Sequence, residues 1–178
     1  MDLMLLRIFQ KQVLLQCQFT LFAAHDINMA LNQRDDTRIF YAVQNFLNAA
    51  NNVSKALWGQ NGKFTDERKM LRDSIGVSDT SPLRKIPIRN DFEHFDDRLD
   101  KWWKQSKNHD YIDLSIGRIR TYISGFSDID MFRLFNPQTG DVTFWGTDFN
   151  LNTVIDEVRR ILPKLEEEAV KPHWAKEP

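Results

Sequence analysis

Apolar residues recur at intervals of three and four along most of this chain, the spacing that gathers them on one face of a helix. From about Leu3 to about Leu31, the positions Leu6, Phe9, Val13, Phe19, Phe22, Ala23 and Ile27 form such a face. Asn32-Gln33-Arg34-Asp35-Asp36 is a short polar connection, and Asp35 or Asp36 can cap the next helix. That second helix is predicted from about Thr37 to Trp58. Its stripe is Ile39 or Phe40, Val43, Phe46 or Leu47, Ala50, Val53 and Leu57. Two long helices joined by a short turn make an antiparallel hairpin. Asn45, Asn48, Asn51 and Asn52 fall on its other side. Gly59 to Gly62 ends the second helix. Thr65 can then cap a short helix from Asp66 to about Ile75, which Gly76 stops. Past a loop over Val77 to Ser81, a third long helix begins at Pro87 and runs to about Lys107. Ile88, Phe92, Phe95, Leu99 and Trp102 make its apolar stripe.

Beyond Tyr111 the pattern changes. Asp113 to Gly117 reads as a loop, and Arg118 to Ile123 alternates like a strand. Met131 to Phe135 and Val142 to Trp145 bracket a proline and glycine turn, which predicts a β-hairpin over about 130–146. A two-stranded ribbon is marginal by itself, so it should lean on the helices through Phe132, Phe144 or Trp145. That need makes Phe126, Phe132, Phe135, Phe144 and Trp145 core residues before they are base-stacking ones. A C-terminal helix is predicted over about 152–170, with Val154, Ile155, Val158, Ile161, Leu162 and Leu165 inward and Pro163 bending it. Glu166 to Glu168 and the tail from Lys171, with its Trp174, read as solvated. The predicted fold is mainly α: a bundle of four to five helices with a small β-hairpin before the C-terminal helix, in a single domain over 1–178.

Charge narrows the function classes. Lys plus Arg total 24 against 25 Asp plus Glu, for a net charge of -1. The chain therefore has no bulk nucleic-acid footprint, and an RNA-acting protein of this composition needs a local basic patch. One cysteine, Cys17, excludes an internal disulfide and reads as a packed apolar residue. His25, His94, His109 and His173 are scattered without zinc-site spacing, so no metal is expected. His25 reads as a partly buried, hydrogen-bonded residue. Asp2 stands where a signal peptide would be basic, and Arg7 and Lys11 interrupt any membrane-length span. A cytoplasmic location is expected.

The polar face of the third helix carries most of the groups that can do chemistry. Arg84, Lys85 and Arg89 crowd a helix start that already bears about half a positive charge, an arrangement that suits an anion such as phosphate. His94 lies about 200° around an ideal helix from Phe92, so the core is not its destination. Asn90 sits one turn before it and Arg98 one turn after. Arg89 and His94 are about 140° apart on that ideal helix. They meet through arginine's reach, through an irregular first turn, or through a second copy. The plain alternative is a solvated helix face.

Arg89-Asn90-Asp91-Phe92-Glu93-His94 resembles the signature of the HEPN superfamily (higher eukaryote and prokaryote nucleotide-binding): an arginine, a polar residue, then a histidine, here with four residues between the two. The resemblance implies an HEPN-like helical bundle and a metal-independent endoribonuclease, often a toxin or phage-defence protein. Its site would form at a homodimer interface from two copies of the motif, with RNA as substrate, no cofactor, and an antitoxin protein as a further partner. It also implies the alternative of a non-catalytic module that binds RNA, a nucleotide or a protein. Arg89, Asn90 and His94 would be catalytic. Arg84, Lys85 and Arg98 would hold phosphate or RNA, and Glu93 and Asp97 would be secondary positioning residues. One departure stands out. In a branch paired with a nucleotidyltransferase antitoxin, a tyrosine comes two places after the histidine; here that place is Asp96.

Overall fold

A computed structural model describes residues 1–117 and 126–172. The strand expected over Arg118 to Ile123, together with His173 and Trp174 of the tail, lies outside those residues. Among the described residues the chain is mostly helical. The helices are α1 (Leu3–Gln33), α2 (Asp36–Trp58), α3 (Lys69–Ser74), α4 (Arg89–Glu93), α5 (Phe95–Gln105) and α6 (Leu151–Ala169). The strands are β1 (Ser115–Ile116), β2 (Leu134–Asn136), β3 (Asp141–Phe144) and β4 (Thr147–Asn150). The chain divides into two compact units. One comprises Met1–Ala23, Asn45–Ile86 and Thr153–Pro178, the other Ala24–Gln44 and Pro87–Asn152. No described helix is long and apolar enough to cross a membrane.

In the first unit the buried positions follow helical spacing. They are Leu6, Val13 and Cys17 on α1, Phe46, Ala50, Val53 and Leu57 on α2, and Val154, Val158, Ile161 and Leu165 on α6. Burial pushes the Cys17 thiol up to about 12, which fits a packed, inert cysteine. Phe19 and Phe22 depart from expectation: both are exposed. The face actually buried passes through Gln10, Cys17 and Thr20 instead, because polar side chains there find partners. Gln10 donates to Ser74 Oγ at 2.9 Å, and Thr20 Oγ1 donates to the Gln16 carbonyl at 2.8 Å.

The end of α2 illustrates how the first unit satisfies its backbone. A helix leaves its last four carbonyls without partners. Here Arg68 donates to the carbonyls of Lys55 and Ala56, and Arg72 donates to that of Leu57 at 2.9 Å. Positive charge at this end also complements the helix dipole. Gly59, at φ 78°, makes the exit; a Cβ there would lie 2.6 Å from the Phe64 ring. The short helix after it is α3, three residues later than predicted at its start. Thr65 does not cap it: its hydroxyl donates to the Gly62 carbonyl instead.

In the second unit the α1–α2 turn closes with Arg34 in the left-handed region (φ 55°). The N–H groups of Arg34 and Asp35 donate to the carbonyls of Leu31 and Ala30, a Schellman arrangement. Asp35 then caps α2 by accepting the Arg38 N–H at 3.0 Å. The predicted hairpin is present as β2 and β3, paired antiparallel with Phe135 opposite Val142. It is part of a larger sheet of order β1-β2-β3-β4. β1, expected to be loop, pairs parallel with β2. β4 pairs antiparallel with β3 across a two-residue turn, Trp145-Gly146, both at positive φ. As expected, the sheet meets helices through aromatic rings. Phe92 of α4 lies 5.6 Å from Phe144; Phe95 and Trp102 of α5 lie 5.4 and 5.9 Å from Phe132.

Candidate functional site

The rings that seat α4 and α5 on the sheet fix the segment that carries the candidate chemistry. Ile88 and Phe92 are buried, while Phe95, Leu99 and Trp102 are half-buried. The predicted continuous helix is interrupted at His94, whose backbone (φ -103°, ψ 43°) is not helical. No proline or glycine stands at the break. The hydrogen-bond ladder carries across it: His94 N–H donates to the Asn90 carbonyl at 2.9 Å, and Arg98 N–H donates to the His94 carbonyl at 3.2 Å. The ideal-helix angles between Arg89, Phe92 and His94 therefore do not hold. Pro87 also precedes the first turn rather than opening it, with Ile88 between it and α4.

His94 is exposed, and no described residue hydrogen-bonds its ring. Arg89 is not free. Its Nη2 lies 2.5 Å from Glu93 Oε1 and its Nη1 donates to Asn90 Oδ1 at 3.0 Å. Its Nε is buried without a partner among the described residues. Asn90 is exposed and thereby serves Arg89 rather than His94. Arg98 donates through Nε and Nη2 to Asp91 Oδ1, at 2.8 and 2.6 Å, and its guanidinium lies over the Trp145 ring at 5.6 Å. Asp97 is exposed and carries no bond or ion pair among the described residues.

Arg84 and Lys85 belong to the first unit. Arg84 is exposed and donates to the Asp79 carbonyl at 2.9 Å, while its own carbonyl accepts from Ser54 Oγ. Lys85 is exposed. The structure thus brings Arg89, Asn90, Glu93 and His94 onto one short stretch. It ties the expected catalytic cation Arg89 and one expected phosphate-binding cation, Arg98, to carboxylates. The Arg89–Glu93 pair was legible from its spacing of four. The Asp91–Arg98 pair, seven positions apart across the break, was not.

His25, expected to be partly buried, is exposed. It lines a cleft of about 390 Å³ with Asp26, Met29, Arg38 and Tyr41, which contains none of the expected site residues. His109 is exposed, at φ 55°, with Nε2 3.0 Å from the Trp103 carbonyl. Among the described residues, no cluster of three or more His, Cys, Asp or Glu is placed to hold a metal ion. The aromatics expected in the core are there: Phe132, Phe135 and Phe144 are buried, and Phe126 and Trp145 half-buried.

Comparison with family models, curated proteins and solved structures finds no match to this chain. The HEPN resemblance therefore rests on the Arg89-to-His94 motif and its helical setting.

Proposed function

We propose that this protein is a metal-independent endoribonuclease of HEPN type, acting in the manner of a toxin or defence protein. The observation that carries the reading is His94: an exposed imidazole at a helix break, without a partner among the described residues, five positions after an arginine whose planar fork is already fixed. In this reaction His94 takes the proton of a ribose 2′-hydroxyl as that oxygen attacks the adjacent phosphorus. The O2′–P bond forms and the P–O5′ bond breaks. The leaving 5′-oxygen takes a proton from the imidazolium of a second copy, and the products are a 2′,3′-cyclic phosphate and a 5′-hydroxyl. Arg89 stabilises the charge that builds on the non-bridging oxygens. Asn90 holds the guanidinium plane from one side and Glu93 from the other, until phosphate displaces the carboxylate. Pairing of two motifs in a homodimer supplies the second imidazole.

A second reading has its own observation. Arg89 and Arg98 are both neutralised by carboxylates of the same segment, which suits a module that binds RNA, a nucleotide or a protein without cutting. One experiment separates the two. Purified wild-type and His94→Ala protein are incubated with total RNA in EDTA. The cleavage reading expects wild-type cutting to cyclic-phosphate ends and a loss of at least about a hundredfold in the variant. Intact RNA with the wild type, or undiminished cutting by the variant, overturns it. Binding retained without cutting supports the module.

A further inference from the structure

Phe19 and Phe22 are exposed because α1 has a second apolar stripe. Leu5, Ile8, Leu15, Phe19 and Phe22 are all between 38% and 63% exposed. With Gln12 at the intervening place, they step by three and four along the helix. That is the seam of a helix that packs against another helix with knobs in holes. Met4 stands exposed at its edge. This face is separate from the one that carries Leu6, Val13 and Cys17 into the core.

Three features say what covers it. The stripe is large. Six half-exposed apolar side chains leave on the order of 500 Å² of apolar surface uncovered. A standard interface takes about 800 Å² from each partner, a little over half of it apolar, so the stripe alone supplies the apolar centre of one. The face is also nearly uncharged: residues 12–25 contain no Asp, Glu, Lys or Arg. Charge depletion marks the centre of an interface rather than a solvated face. A lipid surface would call for Lys and Arg flanking the stripe, and Lys11 is the single exposed cation between residues 3 and 25. Finally, its border is amide-rich. Gln16 and Gln18 flank the stripe, and Asn52 of α2 reaches across to donate to Gln16 Oε1 at 3.2 Å. An amide both donates and accepts, so such a border pairs with a copy of itself, where a charged border would repel its twin.

We infer that the Leu5–Phe22 stripe of α1 is the interface of a two-fold homodimer, in which the stripes of two copies of this chain pack against each other. The inference does not depend on RNA cleavage, although the proposed nuclease also requires two copies. The test is the oligomeric state of the full chain by sedimentation velocity across low to tens of micromolar. The wild type is compared with Leu15→Glu/Phe19→Glu, and far-UV circular dichroism verifies the fold. The expected result is a dimer that the double variant weakens by at least about a hundredfold in Kd. Gln12→Leu changes an exposed residue, leaves the core alone, and should tighten the dimer, which keeps the test decisive if the double variant misfolds. A wild-type monomer at tens of micromolar overturns the inference. So does a dimer indifferent to both substitutions, which would place the contact elsewhere. RNA cleavage scored on the same samples separates the two proposals. A stripe-dependent dimer that cuts nothing upholds this interface and overturns the nuclease. RNA-cutting dimers that are indifferent to both stripe substitutions overturn this interface and leave the nuclease standing, whereas cleavage by a monomer overturns both.

Discussion

Arg89 is where the chemistry of this chain is decided. A guanidinium that is to stabilise phosphate must have its fork available, and here Glu93 occupies it at 2.5 Å. The pair is partly exposed, so it is worth at most about 1 kcal/mol, a barrier that a phosphodiester with its own strong acceptors can displace. Removing the competitor therefore frees the cation. Glu93→Gln should tighten binding of a short RNA by up to about fivefold at low salt, with the gain shrinking as salt screens the phosphate contact; fluorescence anisotropy over a salt series reads both. Weaker binding would instead make Glu93 the residue that orients Arg89. The identity of the site residues was legible in the sequence, because Arg89, Asn90, Glu93 and His94 lie within six positions. Their state was not. Whether an arginine is free or paired depends on rotamers and on the break at His94, and no residue type in the sequence marks that break.

The helices α1, α2 and α6 were readable to within a few residues, because periodicity over twenty or thirty positions outweighs local noise. Short elements were not. β1 has two residues, and β4 comes after a turn whose first residue is Trp145, where hairpins of this type usually carry Asn or Asp. α1 was legible as a helix but not as a helix with two apolar faces, since a list of apolar positions does not say which stripe the core takes. Besides the aromatic contacts, one buried carboxylate ties α5 to the 3-10 turn (Asp128–Asp130) that precedes β2. Asp130 accepts from Trp102 Nε1 at 3.1 Å and from Ser106 Oγ at 2.5 Å, and it closes the capping box with Ser127. Asp130→Ala strands the buried Ser106 hydroxyl, leaves the Trp102 indole N–H only its longer bond to the Asp110 carbonyl at 3.3 Å, and removes the cap. It should cost roughly 2–4 kcal/mol in urea unfolding, whereas Asp130→Asn, which keeps one acceptor oxygen, should cost less. Equal stability of Asp130→Ala and wild type would show that the carboxylate does not hold this join.

At the scale of the molecule, an ionic contact between described residues far apart in sequence was invisible beforehand. Glu166 to Glu168 look alike in the sequence, yet Glu168 is buried while its two neighbours are exposed. Its Oε2 accepts from Arg7 Nη1 at 2.8 Å, 161 positions away, and its Oε1 accepts from Lys171 at 2.7 Å. Only the pairing of α1 with α6 inside the first unit tells the three glutamates apart. Burial by itself would raise the Glu168 carboxyl. The hydrogen bonds from Lys171, Arg7 and Lys164 outweigh it and bring the group from 4.5 down to about 2. The folded state thus holds this proton more weakly than the unfolded chain does, so the cluster contributes stability that is complete above about pH 4.5 and is lost as pH falls toward about 2. Glu168→Gln removes that dependence. Arg7 keeps its bonds to Gln10 Oε1 and the Glu168 carbonyl in the variant, so the loss reports mainly on the carboxylate. The variant should be less stable than wild type at neutral pH, and urea midpoints measured from pH 7 to pH 2.5 should converge through the acid range. A gap that stays constant down to pH 2.5 would show that the cluster stabilises the fold by packing and shape, without help from its charge.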